Sequence, residues 1–323
     1  MLFRIIIAVF VVEVSAPIPA TAQPGLHVDA GVARKHVMHS STVAPMKQSL
    51  SFVRNTLRLL AGPKGKAARA GSSGSASRKV NGPVVFEMTI ISGDLKVTSG
   101  AVDQVEIKVS GPGVGGVTLL AHGKRISPEF GLMGDTLRNG DVKLVLPPGS
   151  DVVIKSINGD VRIDKVGGDA QITAVSGDVT INGVAAARIE AVSGDVELAG
   201  VTGAVRVETV SGDTIVETVT RDDSHMSFET TSGTLTWSGK CGAGCRIEAE
   251  TLSGDVVLKL DKKSSFQVAF ESFSGDLEDM LAMAVTGERG APGRGREVDA
   301  RYGNGAGKIS VETHSGSLTI SKK

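Results

Sequence analysis

A short glycine turn, most often written Ser-Gly-Asp, recurs through the C-terminal three quarters of this 323-residue chain. Between Gly159 and Gly212 successive turns are 17 or 18 residues apart, and between Gly212 and Gly275 they are 21 residues apart. A period near 20 residues is typical of a solenoid, in which each repeat stacks on the one before it. The marker glycines of these turns are Gly93, Gly159, Gly177, Gly194, Gly212, Gly233, Gly254, Gly275 and Gly316.

Apolar residues keep fixed positions relative to the marker glycine. The positions two and four residues after it, and five residues before it, are almost all apolar. Alternation at a step of two is typical of a half-buried strand, so we expect these columns to face the interior. We expect the same of a column two residues before the glycine, which consists of Ile157, Val175, Val192, Val210, Thr231, Leu252 and Phe273.

In a stack of coils, equivalent residues of neighbouring coils lie about 4.8 Å apart. No single coil could bury its apolar face alone. The sequence therefore predicts an all-β fold over residues 81–323. The predicted architecture is a parallel, β-helix-like β-solenoid, preceded by a short N-terminal helix and a flexible linker. An up-and-down antiparallel sheet is the alternative, because weaker turns at Gly168 and Gly203 give nine-residue spacings that suit hairpins.

Two acidic columns accompany the turns. In a parallel stack each becomes a row of like charge, and neighbouring carboxylates at about 5 Å repel by roughly 1 to 3 kcal/mol. Directly after the marker glycine stand Asp94, Asp160, Asp178, Asp195, Asp213, Asp255 and Asp276. Four residues before it stand Glu190, Glu208, Glu229, Glu250, Glu271 and Glu312.

The favoured interpretation of these columns is structural. Glycine supplies the left-handed conformation, the flanking serine and aspartate hydrogen-bond local backbone groups, and the glutamates are solvated and partly paired with Arg188 and Arg206. The alternative is a row of calcium sites between coils, but each turn offers fewer than the six to eight oxygens that calcium takes, so no metal site is predicted. The predicted repeat-turn residues are Gly159, Asp160, Gly177, Asp178, Gly194, Asp195, Gly212, Asp213, Gly254, Asp255, Gly275 and Asp276.

The first 22 residues have the pattern of a secretory signal peptide. Arg4 precedes an apolar run over residues 5–12, and Ala20-Thr21-Ala22 fits a small-x-small cleavage site. The run is shorter than the roughly 20 apolar residues of a spanning helix. We therefore expect export to the periplasm, the cell envelope or the extracellular space, with no transmembrane span after cleavage.

Residues 23–80 form a separate N-terminal region. Apolar residues recur there at steps of three and four, which predicts an amphipathic helix at about 44–60 with Lys47, Arg54 and Arg58 on its opposite face. Such a helix can bind a membrane or a partner, but packing on its own domain is the favoured interpretation. The following stretch, AGPKGKAARAGSSGSASRK, is predicted to be a flexible linker.

Cys241 and Cys245 are the only cysteines. In an oxidising compartment two cysteines that flank Gly-Ala-Gly can close a small disulfide loop. A redox-active pair normally uses C-x-x-C spacing, and a metal site needs further ligands nearby. A structural disulfide is therefore the favoured interpretation, ahead of free thiols and a metal site.

The composition and motifs exclude several functions. The 35 basic and 35 acidic residues cancel, and the aromatic content is 3%, so neither nucleic acid nor stacked sugars are indicated. Nucleophile-elbow, H-E-x-x-H and Walker motifs do not occur in the sequence. The uniform repetition of carboxylates favours structure over a catalytic centre, so no catalytic residue and no cofactor is predicted.

Two stretches resemble a known family. VKLVLPPGSDVVIKSINGDVRIDKVGGDAQITAVSGDVTINGV and GNGAGKISVETHSGSLTI are similar to the opening and the close of the bacterial DUF4097 domain, known as a "putative adhesin". The resemblance covers roughly residues 81–323 and implies a β-solenoid-like cell-envelope protein without defined catalytic residues. The long N-terminal region, the two cysteines and the interruption GLMGDTLRNGD depart from the family pattern.

The predicted function is therefore that of an exported, non-catalytic binding or scaffolding protein of the cell envelope, similar to an adhesin, with a surface or envelope ligand as partner. The alternative is a calcium-dependent or polysaccharide-acting β-helix enzyme. An enzyme would show unlike polar groups in one cleft, near the interruption or the glycine-rich segment 287–307. A binding protein would show a regular surface.

Overall fold

The computed structural model describes residues 72–112, 114, 116–131, 136–218, 225–290 and 295–323. In these ranges the chain forms 26 strands and no α-helix. Their bounds, in chain order, are β1 Ser72–Lys79, β2 Val85–Ser92, β3 Leu95–Ser99, β4 Gln104–Gly111, β5 Thr118–His122, β6 Arg125–Glu129, β7 Thr136–Leu137, β8 Asp141–Leu146, β9 Ser150–Asn158, β10 Val161–Asp164, β11 Gly167–Ser176, β12 Val179–Asn182, β13 Ala187–Ser193, β14 Val196–Val201, β15 Val205–Thr209, β16 Thr214–Thr218, β17 His225–Thr230, β18 Leu235–Gly239, β19 Arg246–Thr251, β20 Val256–Leu260, β21 Phe266–Ser272, β22 Leu277–Asp279, β23 Ala284–Gly290, β24 Arg296–Tyr302, β25 Gly307–Thr313 and β26 Leu318–Lys322.

The strands alternate between two sheets. We call the 12-stranded sheet A and the 14-stranded sheet B. Within each coil, one strand in sheet B is followed by the marker glycine turn and then by a strand in sheet A. Sheet A has the order β1-β4-β8-β3-β10-β12-β14-β16-β18-β20-β26-β22, and sheet B has the order β23-β24-β21-β25-β19-β17-β15-β13-β11-β9-β2-β6-β5, with β7 also paired to β2. From β9 to β20 all pairs between coils are parallel, so the predicted parallel pairing is confirmed over the antiparallel alternative.

The core lies between the two sheets, and three of the four predicted inward columns line it. Ile154, Ile172 and Ile189 of sheet B are fully buried, as are Ile163 and Ile181 of sheet A. In-register pairing stacks each column, so Ile172 lies between Ile154 and Ile189. The apolar interior therefore continues from coil to coil, as the spacing of the repeat predicts.

The fourth column was predicted wrongly. The residues two positions before the marker glycine face solvent; Leu252 is 52% exposed, Phe273 is 45% exposed and Val175, Val192 and Val210 are half-buried. They lie three residues after the buried column that includes Ile172 and Ile189. Residues separated by an odd number of positions point to opposite faces of a strand, so both columns could not face inward.

Chain order and spatial order differ at both ends of the stack. The last coil, β25 and β26, lies between the coil of β19 and β20 and the coil of β21 and β22. At the other end, β2 and β3 lie between the coil that contains β8 and the coil of β9 and β10. Antiparallel strands then follow, with β4 and β1 beyond β8 in sheet A and β24 and β23 beyond β21 in sheet B.

The N-terminal region is described only in part. The end of the predicted linker instead forms β1, which pairs antiparallel with β4 from Ser72 opposite Gly111 to Lys79 opposite Gln104. Strand β1 lies at the edge of sheet A in the described part of the chain. Small polar side chains suit an edge strand, because few apolar side chains pack against it. The signal peptide over residues 1–22 and the helix at about 44–60 lie outside the described residues.

Candidate binding surface

The aspartate column is a hydrogen-bonded ladder between coils. The backbone N–H of Asp178 donates to Oδ1 of Asp160 at 2.9 Å, and Asp195 and Asp213 repeat this contact to the preceding aspartate at 2.9 Å. The N–H of Thr234 donates to Asp213 at 2.8 Å, which ends this run. The aspartates were expected to cap their own turns, but each caps the turn of the next coil.

The turn serines also act between coils. The hydroxyl of Ser193 donates to the Val175 carbonyl at 3.1 Å, and that of Ser211 donates to the Val192 carbonyl at 3.2 Å. Backbone N–H groups of the next coil hold one carboxylate oxygen of each of Asp160, Asp178 and Asp195, so the aspartate column has a structural role. Within the described residues, no group of three or more His, Cys, Asp or Glu side chains could hold a metal ion.

The glutamate column forms one continuous row on the outer face of sheet B. The predicted members are in register, and the row has a seventh member that the repeat did not indicate. Glu297 belongs to β24, which runs antiparallel and places Glu297 opposite Glu271. In spatial order this glutamate row is Glu190, Glu208, Glu229, Glu250, Glu312, Glu271 and Glu297.

Two arginines pair with the first three members of the glutamate row, and a third arginine pairs with its last member. Arg188 lies 2.9 Å from Glu190, and Arg206 lies 2.6 Å from Glu208 and 3.2 Å from Glu229. The predicted pairing with both arginines is confirmed. The hydrogen bond to Glu208 raises the pKa of Arg206, so this guanidinium stays charged.

Glu229 is the last glutamate of the row that Arg206 contacts. Burial, and then the charge of Glu208, raises the pKa of the Glu229 carboxyl above its ordinary value, although Arg206 acts in the opposite direction. A carboxyl whose pKa is higher in the folded chain stabilises the fold below its unfolded pKa, and that stability is lost as the pH rises through the folded pKa. At neutral pH the ionised Glu229 therefore lowers the stability of the fold.

Glu229→Gln is expected to raise the free energy of unfolding at pH 7 by about 0.5 to 1 kcal/mol, because the amide still accepts from Arg206 while the repulsion within the row is relieved. Urea unfolding at pH 7 and pH 4 measures this, and the gain should disappear at the lower pH. Glu217→Gln, on the exposed face of sheet A, is the matched control and should have no effect. A loss of stability at pH 7 would show that the ion pair with Arg206 outweighs the repulsion.

An apolar ridge runs beside the glutamate row, two positions further along the same strands. It comprises the solvent-facing column two residues before the marker glycine, together with His314, whose ring stacks on Phe273 with centroids 5.1 Å apart. Backbone hydrogen bonds place His314 between Leu252 and Phe273. The aspartate ladder follows on the other side of the ridge. The outer corner of the stack therefore carries an apolar ridge between two acidic rows.

Comparison of the sequence with family profiles supports the resemblance that the repeated glycine turns indicate. The Toastrack DUF4097 family profile matches residues 136–243 and 204–321, which together span more than half of the chain. The chain belongs to the DUF4097 family. No curated protein matches it at a significant level of sequence similarity.

Two solved structures share similarity with this DUF4097 chain. One is a "putative cell adhesion protein" from Clostridium sporogenes, 12% identical, with 78% of this chain and 100% of that chain covered and a TM-score of 0.29. The other is a "putative adhesin" from Bacteroides fragilis, 13% identical, with 77% of this chain and 97% of that chain covered and a TM-score of 0.42.

The cysteines that depart from the DUF4097 pattern are joined in the structure. Cys241 and Cys245 form a disulfide with their Cα atoms 5.4 Å apart, and both side chains are buried. They connect sheet A to sheet B between β18 and β19. The sulfur of Cys241 lies against Gly307, where a Cβ atom would approach it to 2.7 Å. The disulfide thus fills the coil corner beneath the start of the inserted strand β25.

The glycine-rich segment of this DUF4097 chain is held by one serine. The hydroxyl of Ser265 contacts Asn304 and accepts from the N–H of Gly305 at 3.0 Å. These polar groups hold the loop between β24 and β25. An enzyme was expected to show a cleft near this segment or near the interruption GLMGDTLRNGD. Residues 291–294 of the segment and residues 132–135 of the interruption lie outside the described residues.

Proposed function

We propose that this DUF4097 chain is an exported, non-catalytic binding or scaffolding protein of the cell envelope that acts in the manner of an adhesin. The observation that carries the proposal is the regular outer surface of sheet B, where glutamates and apolar residues repeat coil after coil. Such a surface offers many equivalent contacts to a long or multivalent ligand. A catalytic centre instead needs a few unlike groups at one place.

Two features support export. The first 22 residues have the charge, apolar run and small-residue site of a signal peptide. The structure joins Cys241 and Cys245 in a disulfide, and such bonds persist in oxidising compartments. The described part of the chain contains no helix long and apolar enough to cross a membrane.

Co-sedimentation of the purified chain with isolated bacterial envelopes tests the binding role. We expect saturable binding, and we expect Leu252→Lys combined with Phe273→Lys to weaken it at least fivefold. Ile215→Lys is the matched control, because Ile215 is an equally exposed apolar residue (47%) that lies on sheet A. Absence of sedimentation would contradict the binding role.

Incubation with polygalacturonate, an acidic polysaccharide, tests the non-catalytic part of the proposal. We expect no new chain ends at any protein concentration. Release of ends that increases with protein concentration, with or without added calcium, would establish the enzyme alternative.

A further inference from the structure

The neutral net charge of the chain conceals two oppositely charged parts. Residues 23–71 contain eight Lys and Arg residues and one Asp, whereas residues 72–323 contain 26 Lys and Arg residues and 33 Asp and Glu residues. The first part therefore carries a net charge of +7 and the second a net charge of −7. Opposite charges of this size favour association between the two parts.

Two adjacent glutamates in the middle of the glutamate row lack a close cation within the described part of the chain. Glu250 and Glu312 lie in register on β19 and β25, and neither has a Lys, Arg or His nitrogen within 4 Å among the described residues. Each faces another glutamate at about 4.8 Å along the sheet. A cation placed over these two glutamates would relieve the repulsion between them.

The largest apolar side chains of the ridge are exposed close to these glutamates. Leu252 and Phe273 are 52% and 45% exposed, and the stacked ring of His314 lies between them. The surface therefore combines an apolar strip with an adjacent row of carboxylates. Its complement is a segment with an apolar face and Lys or Arg beside that face.

We propose that residues 44–60 of this chain dock as an amphipathic helix on the ridge and the glutamate row of their own repeat domain, where they compete with the envelope ligand of the proposed function for the same surface. At about 100° per residue, Lys47, Arg54 and Arg58 lie about 80° to 120° from the centre of the apolar face. Contrary to the expectation that they occupy the opposite face, these three residues thus lie beside the apolar face, and they can reach the carboxylates while Val53 and Leu57 contact the ridge.

The connecting chain is long enough for this contact. In sheet A, β14 is six strand spacings from β1, or about 29 Å. Residues 61–71 can span about 36 Å when extended. A helix of 17 residues is about 25 Å long and covers about five further spacings, which extends from the coil of β13 and β14 to the coil of β21 and β22.

Zero-length carbodiimide coupling of amines to carboxylates tests this docking in the chain without its predicted signal peptide. Mass spectrometry of the monomer is expected to show Lys47 joined to Glu250 or Glu312 at least tenfold more often than to Glu197 or Glu217 of sheet A. High salt should reduce the yield of the preferred products. Equal coupling to both sheets, or no coupling of Lys47 to the glutamate row, would overturn the proposal.

Matched variants and isotopes complete the test. Leu57→Asp should reduce the preferred coupling at least fivefold, whereas Asn55→Asp, which adds the same charge on the side of the helix opposite the apolar face, should reduce it less than twofold. Circular dichroism checks that both variants fold. In a mixture of ¹⁴N and ¹⁵N chains, products that join the two labels as often as one label would assign the contact to a second copy and overturn docking within one chain. The result does not depend on envelope binding, because only the purified protein is present.

Discussion

Gly194→Ala is expected to lower the free energy of unfolding by about 3 to 5 kcal/mol, the largest effect of any single substitution considered for this chain. Gly194 has a φ of 113°, which alanine rarely adopts, and an added Cβ would overlap the Gly177 carbonyl oxygen of the preceding coil. Hydrogen bonds between coils hold the turn of Gly194 to the turns before and after it, so the backbone cannot move away without breaking the aspartate ladder. Thermal unfolding should show a midpoint lower by 10 °C or more.

Two control variants separate the two causes. Gly123→Ala tests the conformation alone, because Gly123 has a φ of 65° and open space around it; a cost of about 1 to 2 kcal/mol is expected. Gly254→Ala tests the steric overlap alone, because its Cβ would overlap the Gly233 carbonyl although its φ is not positive. If Gly194→Ala cost no more than Gly123→Ala, the coils would be farther apart at the turn than the structure places them.

Replacement of Asp178, Asp195 and Asp213 by alanine is expected to lower the free energy of unfolding by about 1 to 2 kcal/mol. The triple variant loses three hydrogen bonds between coils, each contributing about 1 kcal/mol, and relief of charge repulsion offsets part of the loss. Replacement of the same residues by asparagine should leave stability unchanged or raise it slightly, because the amide oxygen accepts the same bonds without the charge.

Urea unfolding of both triple variants beside the parent chain measures these differences. Asparagine and alanine variants that lose equal stability would mean that the negative charge itself is required. That outcome would contradict the structural interpretation of the ladder and favour a bound cation.

The repeat predicted the parts of the fold that depend on period and alternation. The columns of Ile172 and Ile163 are buried because both conform to a step of two within a strand, and the period of 17 to 21 residues gives parallel stacking. The error at Leu252 and Phe273 came from treating apolar character as sufficient. An apolar residue at a turn can face solvent, and only its parity along the strand indicates which face it occupies.

The ends of the stack and the complete glutamate row could not be predicted from the sequence. Insertion of β25 beside β19 depends on which strand edge is free when the chain returns, and spacing carries no such information. Glu297 joins the row from an antiparallel strand outside the repeat. The ladder from Asp160 to Asp178 was missed for a related reason, because local turn chemistry describes one coil whereas these bonds join two.

Thermal unfolding of the chain without its predicted signal peptide, in calcium and then in a chelator, tests most directly whether the aspartate column builds the fold or binds a ligand. The ladder accounts for Asp160, Asp178 and Asp195 through backbone contacts, so we predict midpoints that agree within about 1 °C. A ligand present at 100 times its Kd stabilises a protein by about 2.7 kcal/mol. A calcium-dependent rise of 5 °C or more would therefore contradict the structural account and make the column a metal site.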